Sequence, residues 1–258
     1  MQPMRRHTVG VWLLPVLVIL SAAVSSVVSA ETPRFLRVAP GIEHARFGVD
    51  PADSEAFIGH AFKVYLDVAE LRLIAAGAPS SRRAVAEIVA PYAAVVAINA
   101  SFFDEDGRAM GVAVDNGQLI ASRKRQSWGA LVVADQKARI VLGADVAAPL
   151  AYRLVVQGLP RLVVDGKVQQ LKPQLAERTA VCADGSVVVL VVSTKAETTA
   201  FARFLADPPA KGGLGCRDAL NLDGGPSTQL VVKLPTLALS VPGGWGVPNA
   251  LVITPGRN

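Results

Sequence analysis

Asn116-Gly117 lies between two short apolar runs, 112–114 and 118–120, and no dipeptide marks a hairpin more strongly: the tight two-residue turn needs positive φ, which Asn and Gly tolerate. Comparable turn signals separate 131–134 from 138–142 at Asp135-Gln136-Lys137, 162–164 from Val168 at Asp165-Gly166, and 178–183 from 187–192 at Asp184-Gly185. Upstream, 43–47 and 61–68 alternate in the period of a half-buried strand, and 71–74 continues the pattern. Two stretches read as helices. Ser80 or Ser81 can cap the first, in which Val85, Ile88, Val89 and Tyr92 share a face and Pro91 falls near the end; the second starts near Thr198 or Thr199, turns Phe201, Phe204 and Leu205 inward, and stops before Pro208-Pro209. Many hairpins and two or three helices imply an α+β fold with a mixed, mostly antiparallel sheet core. No repeat, low-complexity run or linker divides the chain, so 31–258 is expected to be a single domain.

Composition enters through the first thirty residues. Arg5 and Arg6 precede an apolar run from Val9 to Leu20, and small residues follow to Val28-Ser29-Ala30, the plan of a secretory signal peptide over 1–30. An uncleaved anchor is the alternative, and Pro15 with the serines from Ser21 argues against a stable membrane span. The expected location is therefore secreted or periplasmic. Loss of Arg5 and Arg6 lowers the formal charge from +5 to +3 (5 − 2), too mild and scattered for a nucleic-acid surface. The densest basic cluster, Arg123-Lys124-Arg125, reads first as a solvated loop and second as an anion-collecting rim. The only cysteines, Cys182 and Cys216, lie in the exported part, where an oxidising compartment permits a disulfide; two buried thiols are the alternative.

The stretch 219–228 is laid out like a site, although taken alone it reads first as an ordinary strand and tight turn with Asp223 bonding its own turn amides. A short apolar strand delivers Asp223 onto a Gly224-Gly225-Pro226 turn, and Ser227 and Thr228 follow with hydroxyls. Other strand ends carry Asn99, Asp104, Arg178 and Asn249. With only His44 and His60 left after signal removal, zinc and a Ser-His-Asp triad lack residues, and no nucleotide-binding fingerprint is present; no cofactor and no metal are expected. Carboxylates, a guanidinium and amides suit hydrolysis of a sugar or phosphate ester, which holds charge and moves protons without a cofactor.

Asn99-Ala100-Ser101-Phe102-Phe103-Asp104, Leu162 to Lys167, Arg178-Thr179-Ala180, Leu220 to Ser227 and Pro248-Asn249-Ala250-Leu251 resemble, in this order, the blocks of the phosphodiester glycosidase family. The resemblance implies a hydrolase of glycosyl phosphodiesters acting on an envelope or polysaccharide-derived substrate; a non-catalytic module binding an anionic glycan is the alternative. It further implies Arg178 as phosphate holder, or else as partner of Glu177 or Asp223 in a salt bridge. Asp223 would be nucleophile or base, or would steady charge at the anomeric carbon. Asp104 is its expected carboxylate partner, with Glu105 and Asp106 close by. Asn99 is grouped with these, and Phe102, Phe103, Gly224, Gly225, Ser227, Thr228 and Asn249 are expected to contact substrate, with Trp245 as a rim residue. The chain departs from the family at Ala100-Ser101 and at Pro226, where glycines are usual, and lacks an arginine just before Asn249.

Overall fold

The turns form as their residues require. In the computed structural model, which describes residues 31–256, Asn116 and Gly117 take φ of 48° and 70°, Asp165 and Gly166 48° and 73°, and Asp135 and Gln136 49° and 58°. The flanking pairs Asp115↔Gln118, Val164↔Lys167 and Ala134↔Lys137 close antiparallel hairpins.

Three antiparallel sheets result. The largest has eight strands in the order Leu36–Ala39, Ile42–Val49, Phe57–Tyr65, Val187–Glu197, Leu175–Asp184, Ala219–Asn221, Arg161–Val164 and Lys167–Val168. A five-stranded sheet holds the central strand Leu154–Gly158 between the hairpins Gly111–Asp115/Gln118–Arg123 and Gly129–Ala134/Lys137–Leu142. The third, also five-stranded, runs Leu237–Val241, Leu230–Leu234, Val96–Asn99, Asn249–Pro255, Ala69–Ala75.

The expected α+β class with a mixed sheet and two or three helices is therefore wrong: the protein is mostly β, its sheets are antiparallel, and the described residues contain two α-helices. The first, Val85–Ile88, is four residues long. Its cap position is Ala84 rather than Ser80 or Ser81, Pro91 interrupts further helical bonding, and Tyr92 is 46% exposed instead of inward. The apolar spacing that suggested a full helix arises because Val85, Ile88 and Val89 plug the outer face of the third sheet against Ala97, Val231 and Val252. No helix among the described residues is long and apolar enough to cross a membrane.

The second helix, Thr198–Ala206, matches its expected bounds. Glu197 Oε2 accepts from the amides of Thr199 (2.7 Å) and Ala200 (2.9 Å), and Phe201, Phe204 and Leu205 are buried against Phe47 and Phe57. It covers one face of the eight-stranded sheet; the other face packs its Phe62, Val181, Leu190 and Leu220 against side chains of both smaller sheets. A strand covered on both faces needs apolar residues at every position, which explains the unbroken run 188–192.

Cys182 and Cys216 are joined in a disulfide, with Cα atoms 5.8 Å apart, tying the long hairpin to the loop after the second helix. Closing a loop of 34 residues removes chain entropy from the unfolded state worth about 3–4 kcal/mol. A urea titration with and without reductant should show that loss as a lower midpoint.

Candidate active site

Register positions the central carboxylate. Ala180 pairs with Asn221 and Val181 with Leu220, and the amide of Leu222 donates to Thr179 O (2.9 Å), extending the ladder by one step. Gly224 then lies so close to the opposite strand that a Cβ there would sit 2.7 Å from Glu177 O. The strand ends at Asn221 and the chain bends at Asp223, leaving the ladder. The first glycine of the turn is thus needed for close approach and the second, Gly225 at φ 58°, for its backbone angle. Gly224→Ala should cost about 1–3 kcal/mol and push Asp223 out of place, read as a lower melting temperature together with impaired function.

Asp223 is held by its backbone: its amide donates to Ala100 O (3.1 Å) and its carbonyl accepts from Asn99 Nδ2 (2.6 Å). Its carboxylate accepts from the Gly224 amide (3.1 Å) and is paired with no cation among the described residues. Burial pushes its pKa up to about 6, against the opposing hydrogen bonds from Ser227 and Gly224. A carboxyl group poised there can hold or release a proton near neutrality.

The two asparagines work inside the protein. Asn99, fully buried, also accepts through Oδ1 from Thr179 Oγ1 (2.8 Å) and the Gln229 amide (3.0 Å), and Thr179 Oγ1 is 3.2 Å from Thr228 Oγ1. Asn249 accepts from the Ser101 amide and donates to Ser101 Oγ, both at 3.0 Å. The departures at Ala100 and Ser101 are absorbed here, since Ala100 joins the core and the Ser101 hydroxyl is the acceptor for Asn249. Ser227 and Thr228 are 1% and 3% exposed, so their hydroxyls point into the protein rather than off the turn. Pro226 has no amide to offer, but its carbonyl accepts from the amides of Gly244 (2.7 Å) and Trp245 (3.1 Å), fastening the Trp245 loop onto the turn.

Arg178 is 3% exposed and its donors are engaged: Nε on Ala196 O (3.1 Å), Nη2 on Thr198 Oγ1 (2.7 Å) and on Gln174 O, and Nη1 near Gln174 Oε1 (3.5 Å). It pairs with neither Glu177 nor Asp223. Burial lowers its pKa, and the nearby Glu197 works the other way. In this arrangement it fastens the segment before its strand to the start of the second helix, and a phosphoryl group would have to displace Gln174 to reach it. Asp104 closes its own turn, accepting from the Arg108 amide (2.9 Å) and lying 3.6 Å from Arg123; it lines a separate cavity of about 570 Å³ with Arg108, Arg123 and Pro248.

Aromatic rings border the Asp223 segment. Phe102 meets Trp128 edge-on at 5.6 Å, Phe103 meets Trp245 at 6.5 Å, and Arg82 lies over Phe103 at 5.1 Å. Trp245 is 58% exposed. Beside the turn a cavity of about 760 Å³ is lined by His60, Glu177, Gly225, Pro226 and Thr228. Its His60 Nδ1 lies 3.0 Å from His44 Nε2, and burial with the charges of His44 and Arg46 lowers the His60 pKa to about 4, so this imidazole is neutral at pH 7. No group of three or more metal-ligating side chains forms among the described residues.

Several members of this constellation escaped the sequence reading. Thr179, Gln229 and Asn221 are polar residues inside otherwise apolar strands, a signal that was available; Trp128 gave none. Asn221 is 5% exposed, and its Nδ2 donates to Leu159 O (2.9 Å) and Leu222 O (2.8 Å). Those two carbonyls fix which end of the amide is nitrogen, and Oδ1, on the other side, has no donor.

An antiparallel β fold with a buried, unpaired carboxyl group on a Gly-Gly-Pro turn is thus the class that fold and site define. Residues 92–254 match the family model of the phosphodiester glycosidases, and the chain belongs to that family. Among solved structures it is similar to the catalytic domain of zebrafish N-acetylglucosamine-1-phosphodiester α-N-acetylglucosaminidase, auto-inhibited by its pro-peptide, with 18% identity, a TM-score of 0.69, and coverage of 88% of this chain and 89% of that one. A hypothetical protein from Synechocystis shares 17% identity at a TM-score of 0.60, over 87% of this chain and 64% of the other. Comparison with curated protein sequences gave no match.

Proposed function

We propose that this protein is a hydrolase that cleaves glycosyl phosphodiesters between the anomeric carbon and the bridging oxygen. The observation that carries this reading is Asp223, a buried carboxyl group with no cationic partner and a pKa of about 6, held rigidly at a strand end by Asn99 and Ala100. Below that pKa it can protonate the bridging oxygen; above it, the carboxylate can steady positive charge at the anomeric carbon or take a proton from water. The bordering rings of Phe102, Phe103, Trp128 and Trp245 offer faces to a sugar. Basic, apolar and small residues in order over 1–30 favour action outside the cytoplasm, on an envelope or polysaccharide-derived substrate.

Incubation of purified protein with a panel of sugar 1-phosphodiesters in oxygen-18-labelled water tests the bond cleaved. The reading expects free sugar carrying the label and an unlabelled phosphomonoester; label in the phosphate would mean attack at phosphorus, and no turnover across the panel would count against a hydrolase.

One observation favours a second reading, a module that binds an anionic glycan without cleaving it: Asp104, the expected carboxylate partner, is committed to Arg108 and Arg123 instead of facing Asp223. Saturable binding of the same diesters without turnover, unchanged in Asp223→Asn, is its expected result.

A further inference from the structure

Several arginines have an acidic partner that is easy to name, and Arg125 has none among the described residues. Arg72 is paired with Asp115, Arg153 with Glu70 and Arg217 with Asp165, while Arg178 is held by carbonyls and a hydroxyl. The Arg125 side chain makes no ion pair or hydrogen bond among the described residues, and its Nε is shut off from solvent with no acceptor. A buried donor left unsatisfied costs about 1–3 kcal/mol, and native proteins retain few. Its guanidinium lies 5.8 Å from the Trp128 ring, a platform that limits where the fork can point.

Two independent routes bring Arg125 to the flank of the Asp223 segment. Its amide donates to Gln157 Oε1 (2.9 Å) and its carbonyl accepts from Gln157 Nε2 (2.7 Å); the next residue, Gly158, is packed against Asn221 O so closely that a Cβ would collide with it. From the other side, Trp128 meets Phe102, and Ala100, two residues earlier, accepts the Asp223 amide. A glycosyl phosphodiester carries the complement of an unpartnered guanidinium, since its phosphoryl oxygens accept.

We propose that Arg125, whose guanidinium is unpartnered among the described residues and is brought towards the Asp223 segment through Gln157 and Trp128, binds the phosphoryl group of the substrate. This rests on the proposed glycosyl phosphodiester substrate and assigns its anion to Arg125 rather than Arg178. A planar fork of N–H donors matches phosphoryl oxygens in pairs.

Calorimetric binding of glucose 1-phosphate and of the neutral methyl glucoside separates the terms without requiring turnover. Wild-type protein should bind the phosphate about tenfold or more tightly than the glucoside. Arg125→Gln should erase that preference, Arg125→Lys should keep part of it, and Lys124→Gln, which removes a charge from the same loop, should leave it unchanged. Should Arg125→Gln fail to fold by circular dichroism, a preference undiminished in Arg125→Lys overturns the proposal. It is equally overturned if wild-type protein shows no preference for the phosphate, if folded Arg125→Gln keeps it, or if Lys124→Gln loses as much. Arg125-dependent binding with no hydrolysis of any diester would sustain this assignment while removing the hydrolase reading.

Discussion

Asp223→Asn should lower turnover of a glycosyl phosphodiester by about 10²–10⁴-fold or more, the usual contribution of a positioned acid or base, while making the protein harder to unfold at pH 7. The two effects share one cause. Burial holds the carboxyl group's pKa near 6 in the fold, whereas an exposed aspartate in the unfolded chain titrates near about 3.9. Between those values the folded state keeps a proton that the unfolded state has released. The stability contributed by this group is therefore fully present below about pH 4 and is lost as pH rises through 6. At pH 7 the ionised side chain costs the fold about 3 kcal/mol, which the neutral asparagine avoids while still accepting from the Gly224 amide. Urea midpoints of wild type and variant should accordingly diverge from pH 4 to 7, with the variant higher. A variant that is inactive yet less stable at pH 7 would mean that Asp223 serves the turn and not a reaction.

Asn99→Ala should be the most damaging single change to the fold near the site, lowering stability by about 3–5 kcal/mol. One side chain there satisfies the Asp223 carbonyl, the Thr179 hydroxyl and the Gln229 amide, and truncation leaves all three without it in a place water does not reach. The backbone that presents Asp223 also loses its tether, so residual activity should fall more than the fraction unfolded accounts for. Asn99→Asp is a useful companion: it keeps the acceptors, loses the donor to Asp223 O, and places a charge among buried groups. Equilibrium unfolding in urea measures both, and a loss under about 1 kcal/mol for Asn99→Ala would show that the network is not load sharing as its hydrogen bonds indicate.

How far the sequence discloses such a molecule depends on the range of the forces involved. Asn116-Gly117 and Asp165-Gly166 announce their hairpins because the requirement for positive φ is met within the dipeptide itself. The helix at 85–92 was overread because Val85, Ile88 and Val89 have helical spacing for a different reason: a single turn plugging a sheet needs the same apolar face that a long helix would. The strands Leu154–Gly158 and Leu237–Val241 go unread, the first because uniform burial erases any period, the second although its burial alternates along its five residues.

At the site, polarity at strand ends was legible and partnership was not. Asn99 and Asn249 stand out in an apolar sequence, but whether an amide meets a sugar or a neighbouring strand depends on residues 80 to 148 positions away. Arg178 illustrates the limit best: the guanidinium is conspicuous, yet Gln174, Ala196 and Thr198 take its donors, all supplied by the fold around it. Arg125, by contrast, hides in a basic run that composition alone reads as surface.

The most direct trial is the pH dependence of kcat/KM for release of sugar from a glycosyl phosphodiester, followed from pH 4 to 8 on wild type and Asp223→Asn side by side. A buried working carboxyl group predicts a wild-type profile that bends near pH 6 and a variant that gives next to no product at any pH. Equal rates from the two proteins, or a wild-type profile flat through pH 6, would contradict it.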